Sequence, residues 1–224
     1  MPNIPLAIVY FIQVAFTLLR EVNLFQILTL FLGKSTLVTL KKEKISLYID
    51  RLFDLVILKE VVIDNDYEKY FQVKKGDTVI DIGASLGDFT TMVSQRAKKV
   101  YAIEIDARRL ELLNKNIELN QCQNVVIIPH KLKSLNELFY EHKIRQCDFL
   151  KMDCEGCEYE LFQNTSDEIL ISVRQIAMEV HINNLSMKGN YSILRDRFRR
   201  LGFKPIELSH NIMPNILLLY LDKT

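Results

Sequence analysis

Gly83 and Gly87 stand four apart in Asp81-Ile82-Gly83-Ala84-Ser85-Leu86-Gly87, a loop that follows the β-branched run Thr78–Ile82. Glycine admits positive φ and lets a ligand approach the main chain with no Cβ in the way. Glu104 lies 21 positions beyond Gly83, near the interval at which dinucleotide folds place the carboxylate that takes ribose hydroxyls. Together these features predict a nucleoside cofactor. Asp81, at the end of the strand, has the charge to receive a cationic amine. A pyrophosphate fingerprint needs glycines two and then three apart, whereas Ser85 and Asp88 occupy those positions. Asp81 and Asp88 would also repel a pyrophosphate. The residues therefore favour S-adenosylmethionine, with its methionine ammonium, over a nicotinamide dinucleotide, which stays as the second reading.

A second acidic stretch, Lys151-Met152-Asp153-Cys154-Glu155-Gly156-Cys157-Glu158, ends another apolar run. Methyl transfer from a sulfonium is an in-line displacement, in which positioning supplies much of the rate and a base is needed only as the acceptor becomes nucleophilic. Asp153 and His181, each expected at a strand end facing the cofactor, are the candidate bases, set against the reading that both only orient neighbours. Cys154-x-x-Cys157 has zinc or redox spacing, but Cys147 lies at the other end of the strand, ~20 Å from Cys154. Two ordinary small residues in an acidic turn is the favoured reading; no metal ligand is assigned, and metal dependence stays open. Arg195, Arg197, Arg199 and Arg200 form a basic run, read first as a solvated helix face and second as a contact for RNA.

These residues need a scaffold that gathers strand ends. After the turn Lys75-Gly76-Asp77, strands are predicted at Thr78–Ile82, Val100–Glu104, Val125–Ile128, Asp148–Met152, Gln175–Val180, Lys204–Leu208 and Ile216–Leu221, with helices between them. Phe89, Met92, Val93, Arg96 and Ala97 mark the first helix, Leu110, Leu113 and Ile117 the second behind the N-cap Asp106. A short helix around Leu135–Glu141 and a last one over Tyr191–Leu201 complete the set. The alternation predicts an α/β fold, a mainly parallel seven-stranded Rossmann-like sheet with helices on both faces, which binds ligands at the carboxyl ends of its strands. Upstream, Thr36–Leu40 and Ile45–Ile49 flank a charged turn as a hairpin, and Arg51–Val62 reads as a helix. Residues 1–65 are assigned to a helical and hairpin extension and 66–224 to the catalytic domain.

The bulk properties set limits. At 49% hydrophobic, 25% charged and a net charge of +1, the chain is an ordinary globular composition. The balance disfavours nucleic acid as the main partner and favours a small or neutral acceptor. The run 4–19 is shorter than the ~20 apolar residues of a membrane span; together with 24–32 it is read as a helical cap, with membrane-surface or partner contact as the alternative. No signal-peptide pattern or secreted disulfide framework is present, so a cytoplasmic location is expected, with membrane association through residues 4–32 as the variant.

From "VIDIGASLGDFT" through "YAIEID", "LNKNIELN", "DFLKMDCEGCEYELF" and "IAMEVH", roughly residues 55 to 185, the chain resembles the FkbM family of methyltransferases. The resemblance implies a class I methyltransferase that O-methylates a hydroxyl, often on a sugar or another small molecule. It implies that Asp81, Gly83, Ala84, Gly87, Phe89, Thr90 and Glu104 line the cofactor, with Ile105 and Asp153 beside them and Glu60 and Tyr67 as weaker candidates. It places Asp153, Glu155 and His181 at the acceptor. Only seventeen residues, His130 to Gln146, join the third and fourth strands, where family members commonly carry more. The rivals are an RNA methyltransferase and a membrane-associated binding module that keeps the fold without turnover.

Overall fold

Strand β3 (Thr78–Ile82) is paired along most of its length by two parallel neighbours, β4 (Lys99–Ile103) on one side and β6 (Cys147–Met152) on the other. The computed structural model describes residue 30 and residues 35–40, 42–210 and 213–223. The helices expected over 4–32 lie outside the described residues, Leu30 apart. β5 (Val125–Ile128), β7 (Val173–His181), β8 (Lys204–Ser209) and β9 (Ile216–Asp222) complete a seven-stranded sheet of order β5-β4-β3-β6-β7-β9-β8. β9 runs antiparallel to both β7 and β8. The chain leaves β3 in one direction for β4 and β5 and returns to its other side as β6. That reversal is a topological switch point, where open α/β sheets form their ligand crevice.

The strands are near-continuous apolar runs because both faces are covered. Alternation sends Val79, Phe149 and Ala177 to one face and Ile80, Leu150, Ile176 and Met178 to the other, each joining its own core. Asp81, Lys151 and Glu179 continue the first series. The polar row is thus an extension of an apolar face, set at its carboxyl end.

The hairpin β1–β2 (Thr36–Leu40, Ile45–Ile49) forms as expected and joins the same core through Val38, Leu40, Ile45, Leu47 and Ile49, with Phe89 and Val93. Two asparagines one helical turn apart, Asn116 in the helix Ala107–Leu119 and Asn120 at its C-cap, pin it to that helix. Asn116 accepts from Tyr48 N (2.6 Å) and donates to Tyr48 O (3.1 Å), and Asn120 does the same to Ser46 at 3.0 and 2.7 Å. These amides stand in for a neighbouring strand, satisfying backbone groups that would otherwise lack partners.

Four helices differ from the sequence expectation. The helix expected over Arg51–Val62 is α-helical only at Leu52–Leu58 and continues as a π-helical turn, Lys59–Ile63. Two short helices, Glu158–Asn164 and Asp167–Ile171, occupy the stretch before β7. The last helix begins at Leu185, capped by Asn184, whose side chain accepts from Met187 N; Lys188-Gly189-Asn190 hid its first turns by interrupting the apolar pattern. Among the described residues no helix is long and apolar enough to cross a membrane.

Candidate active site

Gly83, Ser85 and Gly87 turn the loop after β3 with φ of 75°, 50° and 86°. A Cβ on Gly83 would lie 1.7 Å from the carbonyl oxygen of Asp153, and one on Gly87 would lie 2.6 Å from Leu113 Cδ1. The first glycine therefore lets the loops after β3 and β6 touch back to back, where Asp153 N donates to Ile82 O at 2.9 Å. Close approach of protein to protein, not of ligand to protein, is what requires it.

Glu104 closes this arrangement. One carboxylate oxygen accepts from Ser85 N, the other from Ile105 N and Asp106 N, all at 2.7 Å. Each oxygen keeps lone-pair capacity for a further donor, and Glu104 lies on a cleft of about 450 Å³ between the two loops. Gly83, Ile105, Asp153 and Glu155 line it too, and Ile105 offers an apolar side chain that is 63% exposed. Glu104, Asp153, Glu155 and Glu160 face it against a single cation, Lys131, itself paired with Glu160. That donor set fits a ligand with an ammonium and a sulfonium and disfavours an anionic pyrophosphate.

Other predicted residues sit elsewhere. Asp81, Ala84, Phe89 and Thr90 have no exposure, and Gly87 is buried with them beneath the loop. Asp81 does not reach the cleft: it accepts from Thr90 Oγ1 at 2.5 Å and faces Lys151 Nζ at 3.1 Å. The expectation that it receives the cofactor amine directly is corrected, since the partner strand supplies the cation. Glu60 lies away from the cleft, 3.9 Å from His210 Nε2.

Lys151 was not singled out in the sequence, yet it organises the polar row. Its Nζ donates to Gly83 O at 2.7 Å and lies 5.2 Å from the Tyr67 ring centre. Burial works against its charge, but Asp81, Asp153 and Asp88 outweigh it and hold its pKa up at about 12. Asp88 goes the other way: burial pushes its carboxyl up to about 6 against the pull of Lys151.

Beyond Asp153 the row continues to β7. Tyr67 Oη lies 3.2 Å from Asp153 Oδ2 and 3.2 Å from Glu179 Oε1, so one phenol holds two carboxyl groups. Burial, then Asp153, pushes Glu179 up to about 8. His181, 3% exposed, has Glu158 Oε1 3.4 Å from Nδ1 and Glu155 Oε2 3.3 Å from Nε2. Glu158 raises its pKa to about 9 despite burial, with Glu155 and Asp153 assisting. A pKa raised to about 9 favours the imidazolium form, which suits His181 less well to the role of base than Asp153. Among the described residues Asp153, Glu179 and His181 bring one potential ligand atom each within 4.8 Å of one another, a spacing that could hold a metal ion. Glu179 and Lys151 were legible only as alternate positions on strands, a signal that needs the register.

Cys154 and Cys157 are joined by a disulfide, with Cα atoms 5.5 Å apart. This corrects the reading of two ordinary small residues. Glu155 and Gly156, both at positive φ, fold the turn back so that the sulfurs meet. The basic run is absorbed into structure: Arg197 donates to Asp167, Phe162 O and Thr165 O, Arg195 pairs with Glu207 and Arg199 with Asp196.

A mainly parallel sheet with its crevice at the switch point, a ribose-type carboxylate and an acidic cleft define the S-adenosylmethionine-dependent class I methyltransferases. Two family models of that class match the chain: the FkbM methyltransferase domain over residues 123–205 and the TRM5/TYW2 methyltransferase domain over 57–152. The probable ribosomal RNA small subunit methyltransferase A of Pyrococcus abyssi is 39% identical over 79 residues, 35% of this chain and 28% of that protein. The tRNA (guanine(37)-N(1))-methyltransferase Trm5b of Methanocaldococcus jannaschii is 41% identical over 56 residues, 25% of this chain and 16% of that protein. The chain thus spans less than a third of the length of these curated relatives. M. jannaschii TYW2, solved with S-adenosylmethionine, shares the fold at a TM-score of 0.51 and 20% identity over 85% of this chain and 86% of that one. The matches overturn the expectation that nucleic acid is disfavoured as a partner, and none of them shows O-methylation of a small-molecule hydroxyl. Net charge averages over the whole surface and says nothing of how charge is distributed.

Proposed function

We propose that the protein is an RNA methyltransferase that modifies a base. The observation that carries this reading is the pair Asp153 and Glu179 on the Tyr67 hydroxyl at 3.2 Å each. With its pKa pushed up to about 8, Glu179 presents a donor beside the acceptor Asp153 at neutral pH. A donor and an acceptor side by side match the polar edge of a nucleobase, which enzymes of base chemistry read after taking the base out of its stack. The similarity to ribosomal and transfer RNA methyltransferases supports the same acceptor class.

S-Adenosylmethionine supplies, when bound, an electrophilic methyl carbon on a sulfonium that departs as a thioether. Glu104 would hold its ribose, Ile105 would cover its base, and the acidic rim of Asp153 and Glu155 would favour its cationic end. Asp153 takes the ring N–H proton as the nitrogen forms its bond to carbon. Lys151 and Tyr67 fix the Asp153 side of the site, and the protonated His181 tempers its negative charge. We place the protein in the cytoplasm. The test is transfer of tritium from methyl-labelled S-adenosylmethionine to deproteinised total RNA. Label that follows the RNA through protease and is released by nuclease supports the proposal; label confined to the small-molecule fraction overturns it.

A further inference from the structure

Three of the four arginines on the last helix, Arg195, Arg197 and Arg199, are engaged by Glu207, Asp167 and Asp196, so a denser set of unpaired cations is to be sought elsewhere on the surface. At the opposite end of the sheet from the cofactor cleft, the amino ends of β3, β4 and β6 border a recess of about 420 Å³. Lys98, Lys99, Lys143 and Arg145 line it, and none pairs with a carboxylate among the described residues. The one acid there, Asp148, is already engaged by Thr78 N at 2.9 Å and faces Arg174 Nε at 3.6 Å. Four cations against one carboxylate give a local excess of three in a chain whose net charge is +1. Arg145 also lines a second recess with Arg174, which extends the basic surface along the sheet edge.

Unpaired like charges gathered in a concave site repel one another, and an anion relieves that repulsion. β3 separates this recess from the cofactor loop by about 13 Å at ~3.3 Å per residue, so one mononucleotide cannot occupy both ends. A polyanion can. We infer that the recess is a docking surface for the sugar-phosphate backbone of single-stranded RNA, held while another nucleotide of the same strand enters the site at Asp153. A recess follows a strand better than it follows a flat lipid face. This inference rests on the RNA reading above.

The variant Lys98→Ala/Lys143→Ala/Arg145→Ala changes only exposed side chains. Titration of labelled single-stranded RNA at several salt concentrations should show at least tenfold weaker binding. The slope of log K against log salt should become shallower by about 2, at roughly 0.7 per lost phosphate contact. Affinity for S-adenosylmethionine and the thermal midpoint should not move. Unchanged RNA affinity and slope in the variant, with RNA still methylated by the wild type, overturn this inference alone. A wild type that binds the cofactor and neither binds nor methylates RNA overturns the RNA reading and this one with it. Loss of binding to phosphatidylserine vesicles with RNA binding intact would reassign the surface to membranes and overturn the proposal.

Discussion

Lys151 Nζ lies 3.1 Å from Asp81 Oδ1, the two residues being register partners on adjacent parallel strands and both buried. This pair is the keel of the site, since Lys151 also binds Gly83 O under the cofactor loop. Removing one partner strands the other charge in a dry environment, which costs about 3 to 5 kcal/mol. Lys151→Met is expected to lower the unfolding free energy read from urea titration by that amount, and Asp81→Asn added to it should recover part of the loss. Independent, additive losses in the double mutant cycle would show that the two charges do not see each other.

Gly83→Ala puts a Cβ onto the Asp153 carbonyl at 1.7 Å and asks alanine to hold φ 75°. The positive φ alone costs about 1 to 2 kcal/mol, and the clash forces the two loops apart. Gly76, at φ 92°, has nothing within 4 Å of the same position. Calorimetry should find cofactor binding abolished in Gly83→Ala and retained in Gly76→Ala, with only a modest loss of stability in the latter.

Glu104→Gln removes the charge that three backbone N–H groups address. Hydrogen bonds to a charged group are worth about 1.5 to 3 kcal/mol, so cofactor affinity should fall roughly ten- to hundredfold. An unchanged Kd would remove Glu104 from the cofactor site.

The pH dependence follows from two raised values. His181 sits at about 9 against 6.5, so its contribution to stability is fully present below pH 6.5 and is lost as pH rises through 9. Glu179 sits at about 8 against 4.5, so the folded protein holds a proton the unfolded chain has released, and stability again declines across that window. Both slopes have the same sign. The urea midpoint should fall between pH 6 and pH 9, and His181→Gln should flatten the upper part of the fall. A midpoint that rises with pH would contradict both assignments.

Much of the sheet was legible because its strands are apolar runs punctuated by Gly, Asp and Lys: Thr78–Ile82 and Val125–Ile128 have the bounds the sequence suggests. The helices Glu158–Asn164 and Asp167–Ile171 were not, being too short to show a period. Glu104 and the glycine loop could be read because their spacing is local to one βα unit. Glu179 and Lys151 could not, because what makes them neighbours of Asp153 and Asp81 is strand pairing over long sequence separations. The unpaired lysines of the basic recess escaped for the opposite reason: their charges were counted, and the balance of the whole chain masked their clustering.

The central claim is that Asp153, with Glu179, serves methyl transfer to an RNA base. The most direct measurement is single-turnover transfer from S-adenosylmethionine carrying a deuterated methyl group, followed by mass spectrometry of the digested nucleosides. The account predicts a mass increase on a base for the wild type, with Asp153→Asn slowed at least a hundredfold while cofactor affinity falls far less. Label on ribose alone, or a wild-type rate in Asp153→Asn, would contradict it.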